Sequence, residues 1–148
     1  MIVPVTEGLL PQVLAIEESA FSAPWSEGSF TREAGIHDAD FEAFTESGRV
    51  LGYYVLHQAG DEGELYKIAV AGSARRRGIG DALLSRAEER ARARGLARIF
   101  LEVRAGNGAA VALYEKHGFR RLGVRRRYYT APVEDAVIMA KEWEESGC

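Results

Sequence analysis

The sequence of 148 residues contains a single cysteine, Cys148, which is its last residue. One thiol cannot form a disulfide within the chain, and we do not expect it to act as a catalytic nucleophile at this position. No stretch approaches the roughly 20 apolar residues that a membrane-spanning helix needs. The first residues also lack the basic segment and long apolar core of a secretory signal, so we expect a cytoplasmic protein without membrane attachment.

An excess of positive charge is absent as well. The chain has 19 lysines and arginines against 22 aspartates and glutamates, which gives a net charge of -3 at pH 7. This balance argues against broad electrostatic attraction to nucleic acid, so we expect no direct binding of nucleic acid. Arginines concentrated at residues 75–77 and 120–127 leave one alternative open, a non-enzymatic module that grips RNA or the ribosome.

The composition is that of a globular protein, with 47% hydrophobic and 28% charged residues. This length is sufficient for one core, and no linker or repeat is evident, so we expect a single domain over residues 1–148. We expect it to be a monomer or a weak dimer.

The spacing of apolar residues predicts a mixed α/β arrangement. The first half is predicted to contain a strand at 2–5, a helix ending near 20, a short helix capped by Ser26, and strands at 41–45, 49–57 and 64–71. The second half is predicted to contain a helix from Ile79 to Gly95, a strand at 97–104, a helix at 108–117 capped by Asn107, and an antiparallel pair at 120–130 and 135–142. A parallel strand–helix–strand crossover through Ile79 is the natural connection.

Residues 68–81 carry the clearest pattern for ligand binding. A β-branched strand ends in a turn that contains Gly78 and Gly80, and a helix begins at these glycines, so backbone N–H groups point into one concavity. The Gly-Lys-Ser/Thr ending of a P-loop is absent, and so is the third glycine of the dinucleotide fingerprint. The pattern therefore indicates another phosphate-bearing ligand, or else only a glycine-rich turn beside solvated arginines.

The pattern Arg75-x-x-Gly78-x-Gly80 resembles the coenzyme A pyrophosphate loop of the GCN5-related N-acetyltransferases. Three further stretches follow in that family's order: Leu101-Glu102-Val103-Arg104, Asn107-x-Ala109-Ala110-x-x-Leu113-Tyr114-Glu115, and Gly118-Phe119. The resemblance implies the fold of that family, a mixed and mostly antiparallel sheet of about six or seven strands, with a parallel pair at the cofactor site and about four flanking helices.

The same resemblance implies acetyl-CoA as the cofactor and no metal. The residues it implies for binding the cofactor are Ile68, Ala69, Val70, Arg75, Arg76, Arg77, Gly78, Ile79, Gly80, Asp81, Asn107 and Tyr114. Of these, only the loop at 75–81 can be argued from physics, and a solvated surface is the alternative for its arginine side chains.

Two more stretches, Ala23-Pro24-Trp25-Ser26 and Arg125-Arg126-x-Tyr128-Tyr129, narrow the resemblance to the bacterial ribosomal-protein alanine N-acetyltransferases. This implies that the acceptor is the α-amine of a protein N-terminus, that of a ribosomal protein. Gly106 and Gly108 depart from that family, which commonly has serine and alanine there. A lysine side chain and a small-molecule amine remain as alternative acceptors.

Two residues are candidates for proton transfer. A carboxylate at Glu102 is out of pattern on a strand covered on both faces, and lost solvation there favours its uptake of a proton, so Glu102 is the predicted general base. The alternative is an ion pair with Arg104 or Lys67. Tyr114 matches the tyrosine that in relatives donates a proton to the departing thiolate, and a buried tyrosine with a bonded hydroxyl is the alternative.

Two aromatic residues are candidates for contact with the acceptor. Trp25 lies between the first two predicted helices, where a simple core anchor is the alternative. Tyr128 lies in the predicted closing hairpin, where a packed strand aromatic is the alternative.

Overall fold

The structure is a computed structural model that describes residues 1–21, 24–34, 39–129 and 132–143. Its internal contacts divide the chain into two compact units. The first unit comprises Met1–His57 and Leu65–Ala87, and the second comprises Gln58–Glu64 and the chain from Glu88 onward. The predicted single domain over 1–148 stays a prediction.

Seven strands and four α-helices lie within the described residues. In chain order they are β1 (Ile2–Pro4), α1 (Leu10–Ala20), α2 (Glu27–Ala34), β2 (Ala39–Glu46), β3 (Arg49–Ala59), β4 (Glu62–Val70), α3 (Ile79–Ala93), β5 (Arg98–Arg104), α4 (Gly108–Lys116), β6 (Arg120–Tyr129) and β7 (Glu134–Glu142). Single turns of 3-10 helix at Glu7–Leu9 and Gly72–Ala74 precede α1 and follow β4.

The strands form one mixed sheet in the order β1-β2-β3-β4-β5-β7-β6. The predicted parallel pair is confirmed, because Glu62 and Glu64 of β4 lie beside Arg98 and Phe100 of β5 in a parallel ladder. β5 then pairs antiparallel with β7, and β7 pairs antiparallel with β6. The predicted fold class is therefore confirmed, and β6 is an edge strand.

Local sequence signals account for several of the element ends. The hydroxyl of Ser26 accepts a hydrogen bond of 3.2 Å from the N–H of Ser29, and the side chain of Asn107 accepts one of 3.1 Å from Ala110, so both predicted N-caps are confirmed. Gly95 and Gly118 follow α3 and α4 with φ of 73° and 91°. A residue with a Cβ atom is strained in this left-handed conformation, which explains why glycine ends these helices.

The side chains of β5 alternate between two environments. Ile99, Leu101 and Val103 are buried, whereas Phe100 and Glu102 on the opposite face are only half-buried. The strand therefore packs one face into the core of the second unit and presents a carboxylate on the other, as the sequence predicts.

No helix of the described residues is long and apolar enough to cross a membrane. Three residues on which sequence predictions were made, Ala23, Thr130 and Cys148, lie outside the described part of the chain.

A side chain added at Gly52, in the first unit, would come too close to atoms of two neighbouring elements. A Cβ atom at this position of β3 would lie 2.8 Å from the carbonyl oxygen of Ala69 and 2.9 Å from a methyl carbon of Leu83. Close approach of β4 and α3 to β3 therefore depends on the missing side chain.

We expect Gly52→Ala to lower the free energy of unfolding by about 1–3 kcal/mol, because overpacking forces the backbone of β4 to shift. Chemical denaturation measures the change. The matched control is Gly72→Ala, where nothing lies within 4 Å of an added Cβ atom and φ is not positive. Equal stability of the two variants would contradict the close packing at Gly52.

Candidate active site

The loop between β4 and α3 is built to receive an anion. Arg76 and Gly78 adopt the left-handed conformation, with φ of 65° and 77°, and α3 begins directly afterwards at Ile79. The N–H groups of residues 78–80 donate to no backbone carbonyl within the described chain, and the first such bond at this helix end runs from Ala82 to Gly78 at 3.0 Å. Free N–H groups at the positive end of a helix dipole form a site for phosphate.

The arginines of this loop differ in their contacts. Arg77 forms an exposed ion pair of 2.7 Å with Glu46. The exposed side chains of Arg75 and Arg76 form no hydrogen bond or ion pair with any described residue. Their charge is available to a bound anion, while the guanidinium of Arg77 is already neutralised by a carboxylate.

A buried carboxylate that the sequence analysis assigned no role organises the other end of the first unit. Glu17 of α1 is fully buried and accepts three hydrogen bonds, from the hydroxyl of Tyr53, from the ammonium of Lys67 at 2.8 Å and from the backbone N–H of Trp25 at 2.7 Å. Its place on the apolar stripe of α1 with Val13 and Ile16 was the sequence signal for this burial.

Trp25 packs beside Glu17 and its partners, within the first unit. Its ring lies 5.2 Å from the ring of Phe30 and 6.2 Å from that of Tyr66. The ammonium of Lys67 lies over the Phe21 ring at 4.1 Å and over the Trp25 ring at 5.0 Å. Trp25 is therefore half-buried and held by both its backbone and its ring, so it contributes to the core; its predicted contact with an acceptor stays a prediction.

In the second unit, Glu102 projects from the half-buried face of β5, with 17% of its side chain exposed. Its carboxylate lies 3.4 Å from the guanidinium of Arg125. Of the two alternative partners, Lys67 pairs with Glu17 and Arg104 with Glu134, and the proton-transfer role of Glu102 stays a prediction. The carboxylate of Glu102 also lies close enough to the hydroxyl of Tyr128 to raise the pKa of that phenol.

A bulge in β6 explains why Tyr128 reaches Glu102. Arg125 pairs with Ala136 and Tyr129 pairs with Glu134, so β6 contains more residues than β7 between these two pairs. In a regular strand Tyr128 and Tyr129 would point to opposite faces, but the bulged residue Arg127 has φ of 52° and redirects the chain. Tyr128 is 48% exposed, and its predicted contact with an acceptor stays a prediction.

Tyr114 lies on α4, and Asn107 is the residue that caps this helix in the same unit. Tyr114 is buried against Phe119, with ring centres 5.8 Å apart, and burial raises the pKa of its phenol well above the usual value. Its hydroxyl makes no hydrogen bond to a described residue, and its role as an acid stays a prediction. The amide NH₂ of Asn107 likewise donates to no described residue, while its oxygen caps α4.

Tyr129 lies close enough to Glu102 to be influenced by its charge, and it contributes in turn to the raised pKa of Tyr114. Burial and the negative charge of Glu102 raise the pKa of Tyr129 to about 12. The structure therefore gathers within the second unit the predicted base, the predicted acid and the predicted acceptor contact Tyr128. Within the first unit it gathers the predicted phosphate loop at residues 75–81, with Ile68, Ala69 and Val70 at the end of β4.

The departures at Gly106 and Gly108 remove no reactive group from this region. Gly106 donates its N–H to the carboxylate of Glu134, which lies where a side chain at 106 would begin. Gly108 is the first residue of α4 and has open space around it. The described residues contain no group of three or more His, Cys, Asp or Glu side chains placed to hold a metal ion.

Comparison with known proteins decides the family. Residues 10–119 match the family model described as "Acetyltransferase (GNAT) family". This chain belongs to the GNAT acetyltransferase family.

The acetyltransferase is similar over most of its length to curated relatives. It is 41% identical over 133 residues to the [ribosomal protein bS18]-alanine N-acetyltransferase of Escherichia coli strain K12, covering 88% of this chain and 89% of the relative. It is 31% identical over 143 residues to the enzyme of the same name from Haemophilus ducreyi, covering 95% and 98%. The chain is thus an N-acetyltransferase.

Solved structures agree with this assignment. The crystal structure of the ribosomal-protein-S18-alanine N-acetyltransferase from Escherichia coli matches with a TM-score of 0.89 at 35% identity, over 100% of this chain and 97% of that one. The crystal structure of Ard1 from Thermoplasma volcanium matches with a TM-score of 0.88 at 24% identity, over 98% of each chain. The second match shows the shared fold alone.

The Glu17 cluster predicts a large loss of stability when its carboxylate is removed. Glu17→Ala leaves the ammonium of Lys67 buried without a counter-ion, and we expect it to lower the free energy of unfolding by about 3–5 kcal/mol. Glu46→Ala is the control, because it breaks an exposed pair with Arg77 that contributes under about 1 kcal/mol. Similar denaturation midpoints for the two variants would rule out this organising role of Glu17.

Proposed function

We propose that this acetyltransferase transfers the acetyl group of acetyl-CoA to the α-amine of a protein N-terminus, and that the acceptor is the N-terminal alanine of a ribosomal protein. The observation that carries the proposal is the half-buried carboxylate of Glu102, which lies beside the exposed side chain of Tyr128. The names of the relatives from Escherichia coli and Haemophilus ducreyi support the choice of acceptor.

The residues of the first unit fit coenzyme A. Acetyl-CoA supplies the activated thioester and carries a pyrophosphate, which needs N–H donors and positive charge. The loop offers both, in the N–H groups of residues 78–80 and the unpaired side chains of Arg75 and Arg76. Ile68, Ala69, Val70 and Asn107 are proposed to hold the pantetheine arm, and the unused amide NH₂ of Asn107 supports its part in this.

The chemistry of the acceptor favours an α-amine. An α-amine has a pKa of about 8 and is partly neutral at pH 7, whereas a lysine side chain with a pKa of about 10.4 is almost wholly protonated. One carboxylate is therefore sufficient as the base. Glu102 takes the proton that the amine nitrogen loses as it bonds to the acetyl carbon.

The leaving sulfur needs a proton as the carbon–sulfur bond breaks. Tyr114 is the proposed donor, because a tyrosine phenol, with an ordinary pKa of about 10, carries its proton at neutral pH. Its hydroxyl proton is also not committed to any described residue. Tyr128, which lies beside Glu102, is proposed to hold the backbone of the acceptor, with Trp25 as a second contact.

An acetylation assay tests the proposed acceptor. We expect acetyl-CoA to be consumed with a peptide that begins with a free alanine, and not with an N-terminally blocked peptide that contains one lysine or with a polyamine. Mass spectrometry of the products identifies the acetylated nitrogen. Turnover of the lysine peptide or the polyamine without turnover of the free α-amine would overturn the proposal.

The cytoplasmic location, the monomeric or weakly dimeric state and the lack of nucleic-acid binding remain predictions.

Replacing the proposed base tests the mechanism. We expect Glu102→Gln to lower kcat by about 10²–10⁴-fold, because the amide has the size of the carboxylate but takes no proton from the amine. Steady-state kinetics with the alanine peptide measure the change. The control is Glu115→Gln, which removes an exposed carboxylate that pairs with Arg121 at the same distance of 3.4 Å. A kcat for Glu102→Gln equal to that of the control would assign Glu102 a structural role.

A further inference from the structure

Glu134, at the start of β7, ties together three parts of the second unit. One oxygen of its carboxylate lies 3.3 Å from the guanidinium of Arg104, the last residue of β5. The other oxygen accepts the N–H of Gly106, in the turn that leads to α4. A single carboxylate thus joins β7 to the end of the strand that carries Glu102.

The guanidinium of Arg104 extends this connection to both arms of the β6–β7 hairpin. It donates a hydrogen bond of 3.0 Å to the carbonyl of Pro132 and lies 4.5 Å from the ring centre of Tyr129. Tyr129 ends β6, and Pro132 precedes β7. The planar guanidinium of Arg104 thus contacts a carboxylate, a carbonyl and an aromatic face at once, with its donors fixed in one plane.

The direction of Tyr128 depends on this end of the hairpin. Tyr128 follows the bulged residue Arg127, whose N–H is held by the carboxylate of Asp135 at 2.9 Å. Its ring packs edge-on against Tyr129, with centres 5.1 Å apart. Arg104 also contacts the ring of Tyr129. Displacement of Arg104 would therefore remove a contact that holds the ring against which Tyr128 packs.

We propose that Arg104 and Glu134 form a latch that positions Tyr128 beside Glu102 for recognition of the acceptor peptide. The inference rests on the proposed function and deepens it. About a quarter of each side chain is exposed, so the ion pair itself contributes little to stability. Its effect is on geometry, since a displacement of about 1 Å at a binding group is sufficient to cost a large factor in rate.

Two substitutions test the latch in the full-length chain. Glu134→Gln keeps an oxygen for Gly106 but loses the ion pair, and Arg104→Lys keeps the charge but loses the planar contacts. We expect each to raise KM for the alanine peptide by about tenfold, with KM for acetyl-CoA unchanged. The double variant is expected to lose no more than the worse single variant, because the two residues act as one unit.

The matched control is Glu142→Gln. It cuts an Arg98–Glu142 ion pair of 3.5 Å that joins the same strands, β5 and β7, at their opposite ends. We expect this variant to retain the wild-type KM for peptide. An unchanged peptide KM in both latch variants would overturn the inference. So would a fall in kcat, cofactor affinity and melting temperature together, since that pattern marks a merely structural role.

A spectroscopic readout keeps the latch testable without turnover. The groups that face the Tyr128 phenol are Glu102 on β5, Arg125 on β6, Glu64 on β4 and the neighbouring Tyr129. In the wild type the nearby carboxylate of Glu102 raises the pKa of Tyr128 above its usual value. NMR titration of ¹³C-labelled tyrosine, assigned with Tyr128→Phe, should show this pKa falling back toward about 10 in Glu134→Gln.

The two readouts separate the two ways of failing. If the wild type acetylates no peptide, the proposed function is wrong, and the titration alone decides the latch. If the wild type acetylates the alanine peptide but Tyr128 titrates identically in wild type and Glu134→Gln, the latch is wrong and the proposed function stands.

Discussion

The alternation of side chains along β5 is the constraint on which the chemistry of the second unit depends. Leu101 and Val103 are buried on one face, and Glu102 between them must therefore point to the other. A shift of the strand by one residue would bury the carboxylate and expose both apolar side chains. The hydrophobic core thus holds Glu102 in place without touching it, and no dedicated contact is needed to aim it.

Strand pairing positions the neighbours of the Glu102 carboxylate. Glu102 is opposite Ile138 of β7, and Ile138 is opposite Gly123 of β6, so the ladders carry β6 to the same face. Arg125 lies two residues further along that face and reaches Glu102 directly. Tyr128 needs the bulge as well, because regular alternation would turn it away.

How much the sequence predicts depends on the range of the interactions involved. The caps at Ser26 and Asn107 and the helix-ending Gly95 and Gly118 are encoded within a few residues, and all are found where they were predicted. The partner of Glu17 is a different case. The helical pattern places this carboxylate on a buried face, but Lys67 lies 50 residues away, and only the folded chain selects it over other cations.

The same limit applies around Glu102. Adjacent residues and adjacent strands suggested Arg104 or Lys67 as its partner, whereas the ion pair is made by Arg125. The difference comes from the pairing of β6 with β7 and from a bulge at Arg127. This residue adopts a positive φ although it is not a glycine, so nothing in the sequence marks the bulge. The contacts around Glu102 therefore depend on long-range strand pairing, which local sequence patterns do not encode.

The edge strand β6 also bears on how the sheet ends. Five of its ten residues are arginine, it is exposed along nearly its whole length, and its register with β7 shifts twice. A second copy laid antiparallel against it would bring guanidinium groups together and meet N–H and C=O groups at irregular spacing. The bulge that orients Tyr128 thus also makes β6 a poor template for pairing with another strand. One distortion of the backbone therefore affects both the position of Tyr128 and the tendency of this edge to aggregate.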